Sequence, residues 1–453
     1  MRKVLIIDDD IAVTNYFMVF LVQTGIFEPT VVNDSREVAG LLARENFDVI
    51  MLDMDMPNVS GMDILRAMRT KGDSTPAVIL TGVSDVDLAV RAMKLGAFDY
   101  LTKPVDDQNL LQVLESAIEH RALHQTIDGL PQRLTRKDLA FEAAFMQLPT
   151  QDDGMIRLFH QAEKYAASDL SIFIWGESGG GKEALARAIH QASPRKDGPF
   201  VVVEADSQDT DKFPAFFFGQ AKDWRGSREE TPGLLEQADH GTLFLNNIDA
   251  MSLPMQVKLK RLIQTGEYYR ESSTTIRTGD VRMIVSSKHD LTRPECAGRF
   301  SRDLLYHLMI NSIRIPPLRE RPGDIPLLAE LFLTEEAEKA GKPITGFSAE
   351  CIDLLKKYRF PDNVQELRTI IAGAVANEDT GTIGVDSLPS YIRERIEHPI
   401  TETFTPRKIE EVVREHVRLT LAHFGQQREA AAHVLGITPA EIDRIISEDL
   451  AEE

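Results

Sequence analysis

Short apolar runs separated by amphipathic stretches set the pattern of the first 120 residues. Val4–Ile7, Val49–Leu52, Ala77–Leu80 and Phe98–Leu101 have strand length and little polarity, so they are expected to be strands covered on both faces. Their alternation with helical segments predicts a parallel sheet flanked by helices. A second block of the same kind follows. SIFIW from Ser171, Leu243–Leu245 and Val281–Ser286 are strand-like, and ALARAIHQA is a good helix. Near the end the period changes: Ile409, Val412, Val413, Val417 and Leu421 recur at helical spacing within Lys408–Phe424. A short helix, Arg428–Leu435, stops at Gly436, and Thr438, Pro439 and Glu441 form a capping box for a third helix.

At 453 residues the chain is long enough for about three domains. Its formal charge of −20 excludes a surface that wraps polyanions, so any nucleic-acid contact must come from a local patch. Cys296 and Cys351, the only cysteines, are too few for a disulfide framework and favour a reducing compartment, hence a cytoplasmic protein. The apolar run after Lys3 is cut off by Asp8, Asp9 and Asp10, short of the about 7–15 residues of a signal-peptide core, so no export signal is expected. No other run approaches the roughly 18 residues of a spanning helix, and no membrane partner is expected.

In a doubly wound parallel sheet the carboxyl ends of the strands line the ligand crevice. Here those ends carry Asp8 and Asp9, Asp53, Thr81 and Lys103. Converging carboxylates repel one another unless a hard cation neutralises them, and an oxygen-only site suits Mg²⁺. Asp53 can then act as a nucleophile toward a phosphoryl group, with the Lys103 ammonium offsetting charge. Thr81 offers a hydroxyl to the new phosphoryl oxygen. Loss of that bond makes Gly82–Asp87 a switch, with Tyr100 an aromatic reporter near the surface. IIDDD, MLDMDMPNVSGMDIL, LTG and YLTKP, standing in this order, resemble the receiver domains of response regulators. The resemblance implies a flavodoxin-like fold and phosphorylation of Asp53 by a histidine kinase or another phosphodonor. It also implies a Mg²⁺ site made by Asp8, Asp9, Asp53 and the carbonyl of Asp55.

Gly176, Glu177, Ser178, Gly179, Gly180, Gly181, Lys182 and Glu183 connect the strand SIFIW to its helix. This is the P-loop order, in which backbone N–H groups and a helix N-terminus cradle phosphates while the lysine reaches the outer ones. ATP or ADP is the expected ligand. GPF, GLLEQADHGTLFLNNID, IPPLRERPGDIPLLAELFL and RFPDNVQELRTII then resemble the AAA+ domain of bacterial enhancer-binding proteins of the NtrC type. The resemblance implies a ring that hydrolyses ATP and presses a GAFTGA loop against sigma-54 polymerase, and in that family Glu follows the P-loop lysine as Glu183 does here.

The chain departs from that pattern at several positions. Asn246 and Asn247 stand where an Asp-Glu pair ends a strand, and Lys288 replaces a sensor Asn. Ser301 and His307 occupy the two arginine-finger positions, and Gln365 that of the lid arginine. Between Gly219 and Pro232 the chain reads QAKDWRGSREET, with no GAFTGA run. Amides cannot anchor a metal as anions or polarise water as a carboxylate does. Arginine fingers elsewhere carry about 10³ to 10⁵ in rate. The expectation is therefore a nucleotide-binding pseudo-ATPase and not an enzyme.

The terminal helices resemble the Fis-type helix-turn-helix of NtrC-like regulators. From residue 405 onward ten acids face six bases, so DNA contact is only weakly supported, with Arg428 and Arg444 as its residual carriers. The expected domains are a receiver over 1–121, a linker over 122–148, an AAA+ P-loop core over 149–320, a helical lid over 321–396 and an all-α helix-turn-helix over 405–453. The expected function is that of a two-component response regulator controlling transcription by homo-oligomerisation, with RNA polymerase or a related regulator as partner. One alternative is a signalling protein that does not bind DNA and modulates a related regulator. Another is an active sigma-54-dependent ATPase.

Overall fold

The computed structural model describes residues 1–392 except 83–85, 132, 207–211, 223–229, 293–295, 297 and 380. Beyond 392 it describes residues 413, 416, 417, 420, 421, 428, 432, 435, 437–439, 441 and 442. The chain forms two compact units, Met1–Ser390 and Tyr391–Glu453.

In the first unit β1 (Arg2–Ile7), α1 (Ile11–Gln23), β2 (Phe27–Val32), α2 (Val38–Leu42) and β3 (Val49–Asp53) alternate, followed by α3 (Gly61–Thr70), β4 (Ala77–Thr81), α4 (Val86–Lys94), β5 (Asp99–Thr102) and α5 (Asp107–Asp128). The strands are parallel in the order β2-β1-β3-β4-β5, the expected flavodoxin-like arrangement. Every residue of β3 and β4 is buried, as continuous apolar runs require in a sheet covered on both faces. The strand β2, FEPTVV, was not anticipated. It is partly exposed and carries Pro29, which an edge strand tolerates because one side of its backbone has no ladder to feed. Asp10 starts α1 by accepting from the N–H groups of Ala12 and Val13, at 2.8 and 3.4 Å, directly after the acidic cluster.

The second sheet is built from β6 (Ile172–Trp175), β7 (Phe200–Glu204), β8 (Thr242–Asn246), β11 (Arg282–Ser287) and β12 (Ser312–Arg314), in the parallel order β12-β6-β11-β8-β7. The strands β9 (Glu267–Tyr268) and β10 (Arg277–Thr278) form a separate antiparallel pair. Around the sheet lie α6 (Asp153–Ala166), α7 (Lys182–Gln191), α8 (Phe213–Phe218), α9 (Leu234–Gln237), α10 (Leu253–Thr265) and α11 (Arg302–Ile310). Phe173 and Leu243 pack on one face of the sheet, Ile174 and Phe244 on the other. Arg282, only 1% exposed, donates to the last carbonyls of α6, those of Tyr165 and Ala166, at 2.6 and 3.0 Å. A cation there meets the negative end of the helix and supplies partners it would otherwise lack. The segment expected to be a partly helical linker is tied in: α5 runs on to Asp128, and Leu139 and Phe145 belong to the core of this sheet.

The helices α12 (Asp324–Ala340), α13 (Ala349–Lys357) and α14 (Asn363–Asn377) form the lid. In the second unit Val417, Leu421, Ala432 and Ile442 make a small apolar core. The backbone N–H and hydroxyl of Thr438 each donate to Glu441 Oε2 at 2.8 Å, the expected capping box. Arg428 is exposed, and Arg444 lies outside the described residues. Among the described residues no helix is long and apolar enough to cross a membrane.

Candidate functional site

Asp8 ends up just past β1 and Asp53 at the end of β3, both buried, with Asp9 exposed beside them. Their carboxylate oxygens lie within 4.8 Å of one another. The Lys103 ammonium sits between the buried pair, 2.6 Å from Asp8 Oδ2 and 2.5 Å from Asp53 Oδ1. Burial pushes the Asp53 carboxyl up, and Lys103 only partly pulls it back. The Asp55 N–H donates to Asp53 Oδ2 at 3.1 Å while its own side chain points to solvent. Thr81 closes β4 as a buried hydroxyl with a long 3.5 Å contact to the Gly82 carbonyl. Of the expected switch segment, residues 83–85 lie outside the described residues. All the donors are oxygens and two of the three carboxylates are buried, a set that fits a hard divalent cation.

Tyr100 is not a free surface reporter. Its hydroxyl donates to Asp303 of α11 at 2.7 Å, and Lys260 of α10 contacts both, at 3.1 and 2.9 Å. Burial first, then the Asp303 contact, raises the phenol above its ordinary range. The neighbouring Asp99 faces His307, whose Nε2 lies 3.5 Å from Asp99 Oδ1 and 2.8 Å from Gln264. The two positions expected for arginine fingers are thus committed within their own chain. His307 is buried against β5, and Ser301 caps α11 by accepting from the Leu304 N–H at 3.4 Å.

The P-loop leaves β6 and enters α7 beneath the lid, beside a cleft of about 840 Å³. Lys182 Nζ donates to the carbonyls of Gly176 and Glu177 at 2.9 and 3.0 Å, and burial lowers its pKa. Gly179 has φ +66°, and a Cβ there would stand 2.1 Å from the Asp362 carbonyl at the foot of α14, so only glycine lets the lid approach this closely. Glu177 pairs with Arg319 through two 2.6 Å bonds and accepts from Asn363 at 3.3 Å. Arg319 holds its carboxyl below the usual range. The carbonyls of Ser178 and Gly180 accept from Asn363 and Arg321, at 2.8 and 3.5 Å. Glu183 points outward to Arg187, at 2.7 Å.

Asn246, Asn247, Lys288 and Gln365 all line this cleft, as expected for motif positions. The sequence reading missed two cations and a carboxylate. Arg321 and Arg368 also line the cleft, and Arg368 lies three residues beyond Gln365, close to the same helical face. Glu204, opposite Asn246 in the parallel register of β7 and β8, receives its amide at 2.9 and 3.0 Å and that of Asn247 at 3.4 Å. Asn247 also donates to Asp206 at 2.9 Å, and the Ser286 hydroxyl donates to Asn246 Oδ1. The register of β7 against β8, which could have revealed Glu204, is not written in any motif.

Comparison with known proteins matches residues 4–115 to the response regulator receiver domain, 148–314 to the sigma-54 interaction domain and 319–403 to the AAA+ ATPase lid domain. The transcriptional regulatory protein ZraR of Escherichia coli strain K12 is 33% identical over 436 residues, 96% of each chain. The chain belongs to the sigma-54-interacting response regulators of the NtrC type. The response regulator PilR of Pseudomonas aeruginosa is 35% identical over 374 residues, covering 82% of this chain and 81% of its own. The structure of NtrX from Brucella abortus in complex with ADP aligns over 99% of both chains with 25% identity and a TM-score of 0.51, and its ATP complex gives 0.50.

These findings overturn the pseudo-ATPase expectation. Sigma-54-interacting AAA+ domains are typically ATPases, and the neighbour NtrX has been solved in complex with ADP and in complex with ATP. The expectation rested on the amides of Asn246 and Asn247, on Lys288, on the missing arginines at Ser301, His307 and Gln365, and on the missing GAFTGA run. It did not include the carboxylate that the neighbouring strand sets against both amides.

Proposed function

We propose that this response regulator takes a phosphoryl group on Asp53 and, through it, controls an AAA+ domain that binds and hydrolyses ATP to act on transcription. The observation that carries the proposal is the bond from Tyr100 to Asp303, which joins the phosphorylation pocket to the nucleotide-binding core within one compact unit. Tyr100 lies three residues before Lys103, and Lys103 contacts Asp53 directly.

At the receiver an Asp53 oxygen bonds phosphorus as the bond from phosphorus to the donor, a histidine kinase or small phosphodonor, breaks and its electron pair leaves with the donor. Asp8, Asp9, Asp53 and the Asp55 carbonyl would hold Mg²⁺, which supplies positive charge to the transferring group. Lys103 adds the second positive charge, and Thr81 offers its hydroxyl to the product. In the core, Gly176 to Lys182 would cradle the nucleotide phosphates, with Lys288, Arg321 and Arg368 bringing positive charge to the same cleft.

The working form is a homo-oligomer acting in the cytoplasm on RNA polymerase carrying sigma-54. QAKDWRGSREET stands in place of a GAFTGA loop, and its residues 223–229 lie outside the described residues. We assign 1–121 to the receiver, 122–148 to the connection, 149–320 to the core, 321–396 to the lid and 405–453 to a helix-turn-helix whose acidity makes its DNA contact weak.

The test is phosphate release from ATP by the full chain, with and without acetyl phosphate and Mg²⁺, beside Lys182→Ala and Asp53→Asn. Turnover that rises with acetyl phosphate in the wild type, stays flat in Asp53→Asn and disappears in Lys182→Ala is the expected result. Turnover no greater than that of Lys182→Ala would sink the proposal.

A further inference from the structure

Beside the nucleotide cleft, which Asn246 and Asn247 line, the charges are inverted. The tip of β8 presents two amides, and the tip of β7 beside it presents a carboxylate that accepts from both of them. We infer that Glu204 is the catalytic carboxylate of ATP hydrolysis in this chain, taking over from the position just past β8 that carries Asn247. The inference rests on the proposed ATP turnover.

Three observations single out Glu204. First, strand register sets it directly opposite Asn246, so its carboxylate arises at the same end of the sheet and from the adjacent strand. Second, the two amides it accepts from, those of Asn246 and Asn247, line the same cleft as Lys182, the residue that grips the outer phosphates in a P-loop. Third, of Glu204, Asp206 and Asp249 only Glu204 accepts from both amides. Asp249 has the larger charge effect on Lys182, but its two oxygens are held by the Ser287 hydroxyl and His289 Nδ1, at 3.1 and 2.8 Å, and by neither amide. Asp206 lines the cleft as an exposed side chain bound to Asn247. The amides of Asn246 and Asn247 donate to Glu204, so they orient its carboxylate and add no competing anion.

The step balances simply. The oxygen of water bonds the γ-phosphorus while the bond from that phosphorus to the β,γ-bridging oxygen breaks, and its electron pair leaves with ADP. The proton released by the attacking water passes to a Glu204 oxygen and then to the departing phosphate or solvent, which returns the carboxylate. A positioned general base of this kind is worth about 10² to 10⁴ in rate.

The experiment uses the full chain treated with acetyl phosphate and reads two quantities: phosphate release, and the affinity for a fluorescent ATP analogue with and without Mg²⁺. Glu204→Gln, close in size but uncharged, is expected to lower kcat by at least about 100-fold while analogue affinity stays within about twofold, since the phosphate cradle is untouched. Asp206→Asn and Asp249→Asn are each expected to lose at least about tenfold less turnover than Glu204→Gln. Glu204→Gln with more than a third of wild-type turnover would overturn the assignment alone. So would an equal loss of turnover and analogue binding, which marks a structural role, or a larger loss in Asp249→Asn than in Glu204→Gln. A wild type without turnover sinks the ATP-hydrolysis reading and this assignment together.

Discussion

The Tyr100 hydroxyl at the end of the receiver sheet donates a 2.7 Å hydrogen bond to Asp303 at the start of α11. Lys260 completes the cluster, with its ammonium also 5.1 Å from the Tyr100 ring centre. A charge-assisted bond of this kind is worth about 1.5–3 kcal/mol when partly buried, and removing the carboxylate leaves Lys260 without its anion. We predict that Asp303→Asn raises the ATP turnover of the unphosphorylated chain severalfold and shrinks the further gain from acetyl phosphate. An unchanged basal rate with a full response would show that this contact does not restrain the core.

A pair of histidines on α5 meets the other end of α11. His120 and His124 place their Nε2 atoms 3.3 and 3.2 Å from the single carbonyl of Ile310, so each ring donates an N–H there. Burial, reinforced by the charge of His124, holds His120 down to about 4. Its folded value lies below the ordinary 6.5, so its contribution is fully present above about pH 6.5. That contribution is lost as the pH falls from there toward 4, because the unfolded chain takes up the proton first. The melting temperature should therefore drop between pH 6.5 and 5, and His120→Gln should flatten that drop. An equally steep fall in the variant would place the sensitivity in another group.

Lys103→Met tests the proposed phosphorylation pocket without replacing Asp53 itself. In Lys103→Met two buried carboxylates face each other with no ammonium between them, a loss of about 3 kcal/mol at neutral pH. The sign follows from Asp53, whose carboxyl is already raised by burial. With Lys103 gone it rises further, so stability is lost as the pH climbs above the unfolded value of about 3.9. Millimolar Mg²⁺ should recover part of the melting temperature of the variant. No recovery would argue that these oxygens do not bind the ion.

Gly179→Ala probes the lid. The new Cβ would stand 2.1 Å from the Asp362 carbonyl, backbone against side chain, at a φ that alanine resists. The lid has to withdraw from the P-loop, so analogue affinity should fall at least about tenfold while the melting temperature falls by only a few degrees. Wild-type affinity would mean that the cleft does not require this approach.

Much of this molecule could be read from residue order. The strands β1, β3 and β4 of the receiver and the P-loop strand came through because strands covered on both faces are apolar, and that pattern is local. The edge strand β2 did not, since its partial exposure and Pro29 erase the apolar signal. The other edge strand, β5, is partly exposed and runs one residue later than its apolar run. Asp8, Asp53 and Lys103 were found because a parallel sheet brings its strand ends together by topology alone. Arg321 and Arg368 were missed because their side chains reach the cleft only after the lid has folded over it.

The sequence by itself determined which chemical groups stand at strand ends and loops, because backbone periodicity and turn chemistry act within a few residues. The tertiary structure alone decided which of those groups meet. It set Glu204 against the amides of Asn246 and Asn247, and Tyr100 against Asp303, across separations of some 40 and 203 residues. The balance of charge in the cleft is a sum over such neighbours, and electrostatic interaction depends on distance in space, which residue order does not contain.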